Sequence, residues 1–414
     1  MISDDLMPGA SGEDVVCLFR VTTKMPIAKA AKAIAAEQST GTWTDISTQS
    51  DEIDRKLAGK VLHTRPIVKS EFQVAIEFPS EDFDSEVGGV PQILSVIAGN
   101  LFGLEDLRAV RLDDLFIPKE IAVAFPGPRF GAEGIYSKLG RRDTSRPLLG
   151  TIVKPKIGLS PGSTAEYVYK VGKGGLTNSK DDETLVDQDF CPILDRTRAI
   201  ADAVDRVRSE TGHRMMHAIN ISTRPDKILE IADKVISEGA NEVMVDVLTC
   251  GFSAVQILAE DPSVNVPIHV HRTMHGAITR NPHHGISMPV IALLTRMVGG
   301  DALHVGTFGI GKMHGEKEED LRSKERLTEE FYGRAEVLPV SSGGVHPLLV
   351  PKILRVAGTR IQIQAGGGVS GHPMGLEGGA RAMNQAVEAF LRRRSLKRYA
   401  ETHSELKMAL EKWG

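Results

Sequence analysis

From residue 148 onward the chain repeats one alternation eight times. Each repeat is a short apolar run ending in polar or glycine-rich residues, followed by a stretch with helical periodicity. The apolar runs occupy 148–156, 175–180, 215–221, 242–248, 267–272, 302–307, 337–342 and 361–366. Amphipathic stretches lie between or after them at 193–210, 225–238, 289–298, 349–356 and 381–393. Pro225 stands where a first-turn proline is tolerated, and Gly239 follows the last periodic residue as a C-terminal stop. Eight strand–helix units spaced roughly 25 to 40 residues apart predict a (β/α)₈ barrel, an α/β fold. The first part of the chain reads differently, with strands at 14–21 and 71–77 and helices at 26–37 and 91–100. That mixture predicts a smaller α+β domain. The turn formers Phe125-Pro126-Gly127-Pro128 place the junction between domains 1–126 and 127–414.

The composition excludes several classes of protein. Hydrophobic residues make up 41% and charged residues 25% of 414, so the chain is neither disordered nor fibrous. A net charge of −4 gives no reason to expect a nucleic-acid or membrane-surface partner, so an anionic ligand needs a local cluster of cations. No apolar stretch reaches the roughly 18 residues of a membrane span, and the acidic start has no basic leader region. Three unpaired cysteines, Cys17, Cys191 and Cys250, suit a reducing compartment, and a cytoplasmic location is expected.

Barrel chemistry gathers at the C-terminal ends of the strands. Here those ends bring Lys154 and Lys156, which share a face, then Lys180, Asp182 and Glu183, then His217 and Asn220. Later runs contribute His269, His271 and Arg272, then His304, Ser342-Gly343-Gly344 and Gly366-Gly367-Gly368. Asp182 and Glu183 are hard oxygen donors that suit magnesium. An ammonium group at Lys180 would repel the metal, but its reaction with CO₂ gives a carbamate, a third oxygen ligand. Alone, Lys-Asp-Asp-Glu is an ordinary solvated charged run; at the end of the second barrel strand it reads as a metal site. The two glycine-rich ends suit phosphate, and Arg272 with a lysine opposite could hold a second one, which points to a bisphosphate. The loop 306–315 surrounds Lys312 with glycines and is easily moved, so this lysine can serve on a lid.

These residues fall in blocks that resemble the large subunit of ribulose-1,5-bisphosphate carboxylase/oxygenase (RuBisCO) over essentially the whole chain. The blocks are Glu37-Gln-Ser-Thr-Gly-Thr-Trp-Thr44, Ala98-Gly-Asn-Leu-Phe-Gly103, Gly150-Thr-Ile-Val-Lys-Pro-Lys-Ile-Gly-Leu-Ser160 and Lys180-Asp-Asp-Glu183. They continue with His269-Val-His-Arg-Thr-Met-His275, His304-Val-Gly-Thr307, Gly311-Lys-Met313, Ser341-Ser-Gly-Gly344 and Gly366-Gly-Gly-Val-Ser-Gly-His-Pro373. The segment Thr279-Arg-Asn-Pro-His-His-Gly-Ile-Ser-Met288 resembles most the archaeal branch, which has no small subunit.

The resemblance implies a magnesium-dependent carboxylation, and oxygenation, of ribulose-1,5-bisphosphate through an enediolate. The metal ligands would be carbamylated Lys180, Asp182 and Glu183. Lys154 would be the acid/base lysine, Lys156 its electrostatic partner, His271 a proton-transfer group and Lys312 the closing lysine. Arg272 and His304 would grip one phosphate, with Ser342 on a substrate hydroxyl beside Gly343 and Gly344. Gly366, Gly367, Thr42 and Trp43 would hold the other phosphate. Glu37, Thr42, Trp43 and Asn100 would reach the site from a neighbouring subunit, implying a homodimer or an oligomer of dimers.

Three positions depart from the family pattern. Thr177-Asn178-Ser179 replaces the usual apolar or aromatic lead-in to the lysine, Thr184 follows the acids, and His314 stands two positions after Lys312. They touch support and loop closure rather than the reacting groups. The alternatives are a RuBisCO-like enolase or isomerase acting on another sugar phosphate, a metallohydrolase barrel, and a silent scaffold. A metallohydrolase usually has its His-x-His on the first strand, whereas here it follows the lysine. A scaffold has no need of both the metal cluster and Lys312.

Overall fold

The computed structural model describes residues 10–41, 46–312 and 315–414, so Thr42, Trp43 and His314 lie outside the described residues. Strands β1 (Val15–Thr23), β2 (Lys60–Val68), β3 (Glu71–Phe78) and β4 (Leu107–Phe116) form an antiparallel sheet in the order β4-β1-β3-β2. One face of β1 puts Val15, Cys17, Phe19 and Val21 into the core of this domain, while Val16 and Leu18 on the other face are buried as well. Helices Ile27–Glu37 and Gly89–Ala98 bring Ala30, Ile34, Val90, Ile93 and Ile97 into the same core.

The sequence pattern predicts β1, β3 and both helices but misses β2 and β4, for different reasons. β2 is an edge strand whose side chains are partly or fully exposed, so no apolar alternation marks it, and Pro66 is tolerated there. β4 carries Arg111, Asp113 and Asp114, which read as surface charges. All three are buried in ion pairs. Asp113 pairs with Arg20 and Arg111 within the sheet. Across to the barrel half, Arg111 pairs with Glu319 at 2.8 Å and Asp114 with Arg326 at 2.5 Å, both partners on helix Lys317–Thr328.

Eight parallel strands close the barrel: β5 (Leu148–Ile152), β6 (Asn178–Lys180), β7 (Met216–Asn220), β8 (Glu242–Asp246) and β9 (Ile268–His271) come first. After the two-residue strand β10 (Gly285–Ile286) follow β11 (Ala302–Gly306), β12 (Leu338–Ser342) and β13 (Gln362–Gln364). Each predicted apolar run contains one barrel strand. β10 leaves the barrel and pairs in parallel with β4, so the N-terminal sheet recruits a strand from the C-terminal half. The predicted helices appear as Ile193–Thr211, Ile228–Ser237 after one 3₁₀ turn at Pro225–Lys227, Met288–Met297, Val350–Ala357 and Gly375–Leu391. Gly239 has φ +96°, the left-handed conformation a helix stop requires.

Helix Gly131–Lys138 closes the N-terminal end of the barrel, packing Ala132, Ile135 and Tyr136 on Leu148, Met216, Ala302 and Leu338. The Asp301 carboxylate ties that plug to the strands, accepting from the backbone N–H groups of Phe130, Gly131 and Ile268 at 2.7–2.8 Å. Buried polar side chains also occur inside the barrel, among them Asn178, Glu242, His269 and Gln362. Branched apolar layers are the common filling of this fold.

Candidate active site

At the C-terminal mouth of the barrel lies a cavity of about 700 Å³. Its wall contains Lys154, Lys156, Lys180, Glu183, His271, Arg272, His304, Lys312 and Ser342, with Gly343, Gly344, Gly366 and Gly367. The strand ends expected to contribute all line this wall except that of β7. Five cations (Lys154, Lys156, Lys180, Arg272, Lys312) face two acids there, Glu183 and Asp320. A chain of net charge −4 therefore concentrates positive charge in this cleft, which suits an anionic ligand.

Asp182 sits behind this wall, wholly buried, and accepts a hydrogen bond from Lys154 Nζ at 2.6 Å. Burial pushes its carboxyl up, but Lys154, Thr184 and Lys180 outweigh that and hold it below the usual carboxylate range. Glu183 lies 3.6 Å from Lys180 Nζ and 3.9 Å from both Lys156 Nζ and His271 Nε2. Lys180 is completely buried, which pushes its amine below the ordinary lysine range despite the acids around it. A neutral amine is the form that adds to CO₂. Among the described residues no three His, Cys, Asp or Glu side chains converge as a metal-binding group. Asp182 and Glu183 could offer a magnesium ion two hard oxygen ligands, and a carbamate on Lys180 would be the third. The donor set fits the metal on that condition.

The opposite wall is built on β9. His271 Nδ1 lies 2.9 Å from Asp246 Oδ1, whose carboxyl burial pushes up to about 7. Burial also lowers Arg272 to about 10, still fully charged, and its guanidinium makes no hydrogen bond to the described residues. An uncommitted fork of donors at the cavity wall is well suited to phosphate. His275, at the end of the same segment, is lowered to about 3 by burial and by Arg272 and His271.

Its folded value lies below the unfolded one, so the stability it contributes is present above pH 6.5 and lost as pH falls. Relative to His275→Gln, the wild-type chain is expected to lose about 1 kcal/mol between pH 6.5 and 5, discounted for partial exposure. Urea unfolding of both chains at the two pH values checks this, and parallel pH dependence would contradict it.

Glycine is needed where the lysine loop meets β12. A Cβ on Gly344, which has φ +70°, would stand 2.8 Å from the Lys312 Cβ, and one on Gly311 would stand 2.3 Å from the Gly343 carbonyl. The loop therefore packs backbone to backbone over the end of β12, which brings Lys312 to the cavity.

Besides Asp182, three strand-end residues do not face the cavity. His217 bridges Ser179 Oγ (2.8 Å) and Asp181 Oδ1 (3.1 Å), and Asn220 donates to the carbonyls of Asp182, Glu183 and Leu185. They brace the turn that presents the acids. His269 points into the barrel interior. Glu37 and Asn100 lie outside the cavity of their own chain, at one end of the N-terminal sheet, where Gln38 Nε2 donates to the Val96 carbonyl. Sequence reasoning missed Asp246, Asp320 and Glu242. Asp246 ends the fourth barrel strand, a position rich in signal, but its neighbours Val245 and Val247 hid it.

Comparison with known proteins agrees with this geometry. The family "Ribulose bisphosphate carboxylase large chain, catalytic domain" matches residues 134–413, and its N-terminal domain matches residues 2–121. A ribulose bisphosphate carboxylase of Methanocaldococcus jannaschii is 40% identical, with 93% of each chain covered. The octameric Rubisco of Pyrococcus horikoshii superposes with a TM-score of 0.91 at 36% identity, covering 99% of this chain and 95% of that one. The dimeric archaeal Rubisco of Hyperthermus butylicus gives 0.89 at 36%, covering 98% and 97%. A rubisco-like protein of Alicyclobacillus acidocaldarius gives 0.87 at 30%, covering 98% and 100%.

Proposed function

The chain belongs to the ribulose bisphosphate carboxylase large-chain family, and from that premise we propose that its barrel cavity carboxylates ribulose-1,5-bisphosphate to give 3-phosphoglycerate. The observation that carries this reading is the convergence of Lys154, Lys180, Glu183, His271, Arg272 and Lys312 on one cationic cavity, with Asp182 directly behind. Oxygenation accompanies carboxylation, because the same enediolate is open to either gas. An enzyme that only enolises its substrate forms no new carboxylate for a lysine over the site to hold, and Lys312 lines the cavity here.

Asp182, Glu183 and a carbamate on Lys180 would hold magnesium, which when bound would supply positive charge to stabilise the negative charge that develops on the substrate oxygens. Lys154 is the acid/base lysine of enolisation and late protonation, with Lys156 adding positive charge next to it. It can take the proton beside the substrate carbonyl only once its ammonium, paired with Asp182, has given one up. His271 exchanges protons with the substrate hydroxyls, oriented by Asp246. Arg272 binds one phosphate, with His304 beside it at the wall but engaged at both ring nitrogens by His269 and Ser342 rather than donating to the phosphate. Gly366 and Gly367 bind the other together with Thr42 and Trp43. Ser342 holds a hydroxyl beside Gly343 and Gly344, and Lys312 closes over the carboxylate formed from CO₂. Closing the loop that carries Lys312 would exclude water from the reacting groups.

Glu37, Thr42, Trp43 and Asn100 complete the site of a second copy, so the active unit is at least a homodimer. The two domains divide at 126/127. That division is supported by Arg334, which donates to the carbonyls of Val123, Phe125 and Pro126, and by the plug helix that follows. Among the described residues no helix is long and apolar enough to cross a membrane, and the protein is assigned to the cytoplasm.

Purified protein preincubated with CO₂ and Mg²⁺, then given ribulose-1,5-bisphosphate and labelled bicarbonate, is expected to form acid-stable label. A well-folded sample that forms none contradicts the reading. Arg272→Ala is expected to raise KM for the bisphosphate about 10- to 100-fold through loss of a charge-assisted contact. An unchanged KM would remove Arg272 from the phosphate site.

A further inference from the structure

The barrel interior holds a polar chain that the proposed reaction leaves unused. Asn178, two residues before Lys180, accepts on Oδ1 from the side-chain amides of Gln362 at 3.1 Å and Gln364 at 3.0 Å. Its own amide is thereby turned to donate to Glu242 Oε2 at 2.5 Å. The other oxygen, Glu242 Oε1, lies 3.3 Å from His269 Nδ1. His269 Nε2 meets His304 Nε2 at 2.8 Å, and His304 Nδ1 meets Ser342 Oγ at 2.6 Å. Asn178, Glu242, His269 and His304 are all buried, while His304 and Ser342 reach the cavity wall.

Each link accommodates one proton, so the chain has a direction. A carboxylate only accepts, which makes His269 Nδ1 the donor to Glu242. With a single proton on His269, its Nε2 accepts and His304 donates from Nε2. Burial, together with His271, His269, Lys180 and Arg272 nearby, holds His304 well below the ordinary imidazole range, so it has no second proton to offer. Its Nδ1 therefore accepts, and the donor at that contact is the Ser342 hydroxyl. Asp301 stands near Glu242 on the plug side.

We propose that Glu242 is a positioning residue for substrate recognition: acting through His269 and His304, it commits the Ser342 hydroxyl hydrogen inward. The lone pairs of Ser342 then face the cavity and accept a hydrogen bond from a hydroxyl of the bound sugar bisphosphate. The identity of that donor rests on the carboxylase reading; the order of the protons is a property of the protein before substrate arrives.

Glu242→Gln tests this with little change of shape. Because Asn178 is held as a donor, the glutamine oxygen must face it and the glutamine NH₂ must face His269. Every link then reverses, and Ser342 donates into the cavity. KM for ribulose-1,5-bisphosphate is expected to rise about tenfold with little change in kcat. In a Ser342→Ala background the same substitution is expected to add nothing further, since the effect passes through that hydroxyl. ¹⁵N NMR of histidine-labelled protein is expected to place the His304 proton on Nε2 in the wild type and on Nδ1 in the variant. A full additional loss in the Ser342→Ala background overturns the proposal, as does a proton on His304 Nδ1 in the wild type. The wild-type nitrogen shifts remain decisive even if Glu242→Gln does not fold. Because they need no turnover, they also separate this proposal from the carboxylase reading, which fails by absence of labelled product.

Discussion

Lys180→Ala is expected to abolish carboxylation, lowering kcat/KM by at least about 10³-fold, and to remove any response to preincubation with CO₂. Two carboxylates remain in this variant, Asp182 and Glu183, and no other acid among the described residues completes a metal-binding group with them. Asp182 is already bound to Lys154 at 2.6 Å, and Glu183 faces Lys156 and His271 at 3.9 Å. Without the carbamate, Asp182 keeps Lys154 and Thr184 as its partners, and Glu183 keeps Lys156 and His271. The fold is expected to survive, because the wild-type amine makes a single hydrogen bond, to the Asp181 carbonyl at 2.8 Å, and its burial as a cation is unfavourable. Circular dichroism should therefore match the wild type while CO₂ activation is gone. Near-normal turnover by this variant would contradict the carbamate.

Arg196→Ala is expected to cost about 3–5 kcal/mol of stability, because it strands a buried charge. Arg196 and Asp181 are both fully buried and paired at 3.1 Å. The same guanidinium donates to the carbonyls of Cys191 and Val186 at 2.7 Å, so it ties the turn after Lys180 to helix Ile193–Thr211. Burial pushes the Asp181 carboxyl up, but Arg196, His217 and the Asn220 N–H together hold it at about 2. Removing the arginine leaves the acid with His217 and one backbone donor. The double variant Asp181→Asn/Arg196→Met is expected to be more stable than Arg196→Ala, because it leaves no unpaired charge. Urea midpoints of the three chains check this. A double variant that is as unstable as Arg196→Ala would show that packing, not charge, is what the pair provides.

How much of the structure was legible in the sequence depends on what each residue is asked to reveal. The barrel was legible because its strands are buried on both faces and its helices on one, so two apolar rhythms alternate along the chain. β4 was not, because its charged residues look solvated until helix Lys317–Thr328 arrives from two hundred residues away to pair with them. At the site, position on a strand end gave the height of a side chain in the barrel. It did not give the direction, which is why His217, Asn220 and His269 were grouped with residues of the cavity wall.

The run Thr177-Asn178-Ser179 was visible as a departure but not as a design. Its meaning lies in partners that sequence spacing hides: Ser179 with His217, and Asn178 with Glu242 and the two glutamines. An apolar residue at 178 would leave the buried Glu242 oxygen without its donor. The departure is thus one part of a buried network rather than a lesion beside the metal ligands. Glu37 and Asn100, expected to act from a neighbouring subunit, do not line the cavity of their own chain.

If the cavity joins CO₂ to ribulose-1,5-bisphosphate, rather than merely enolising a sugar phosphate, the new carbon must appear in the product. ¹³C NMR of the product mixture from unlabelled bisphosphate and ¹³C-bicarbonate tests this most directly. Two molecules of 3-phosphoglycerate are expected for each sugar consumed by carboxylation, with the label in the carboxyl carbon of one of them. Consumption of the sugar to an isomer that contains no ¹³C would contradict the proposed carboxylation.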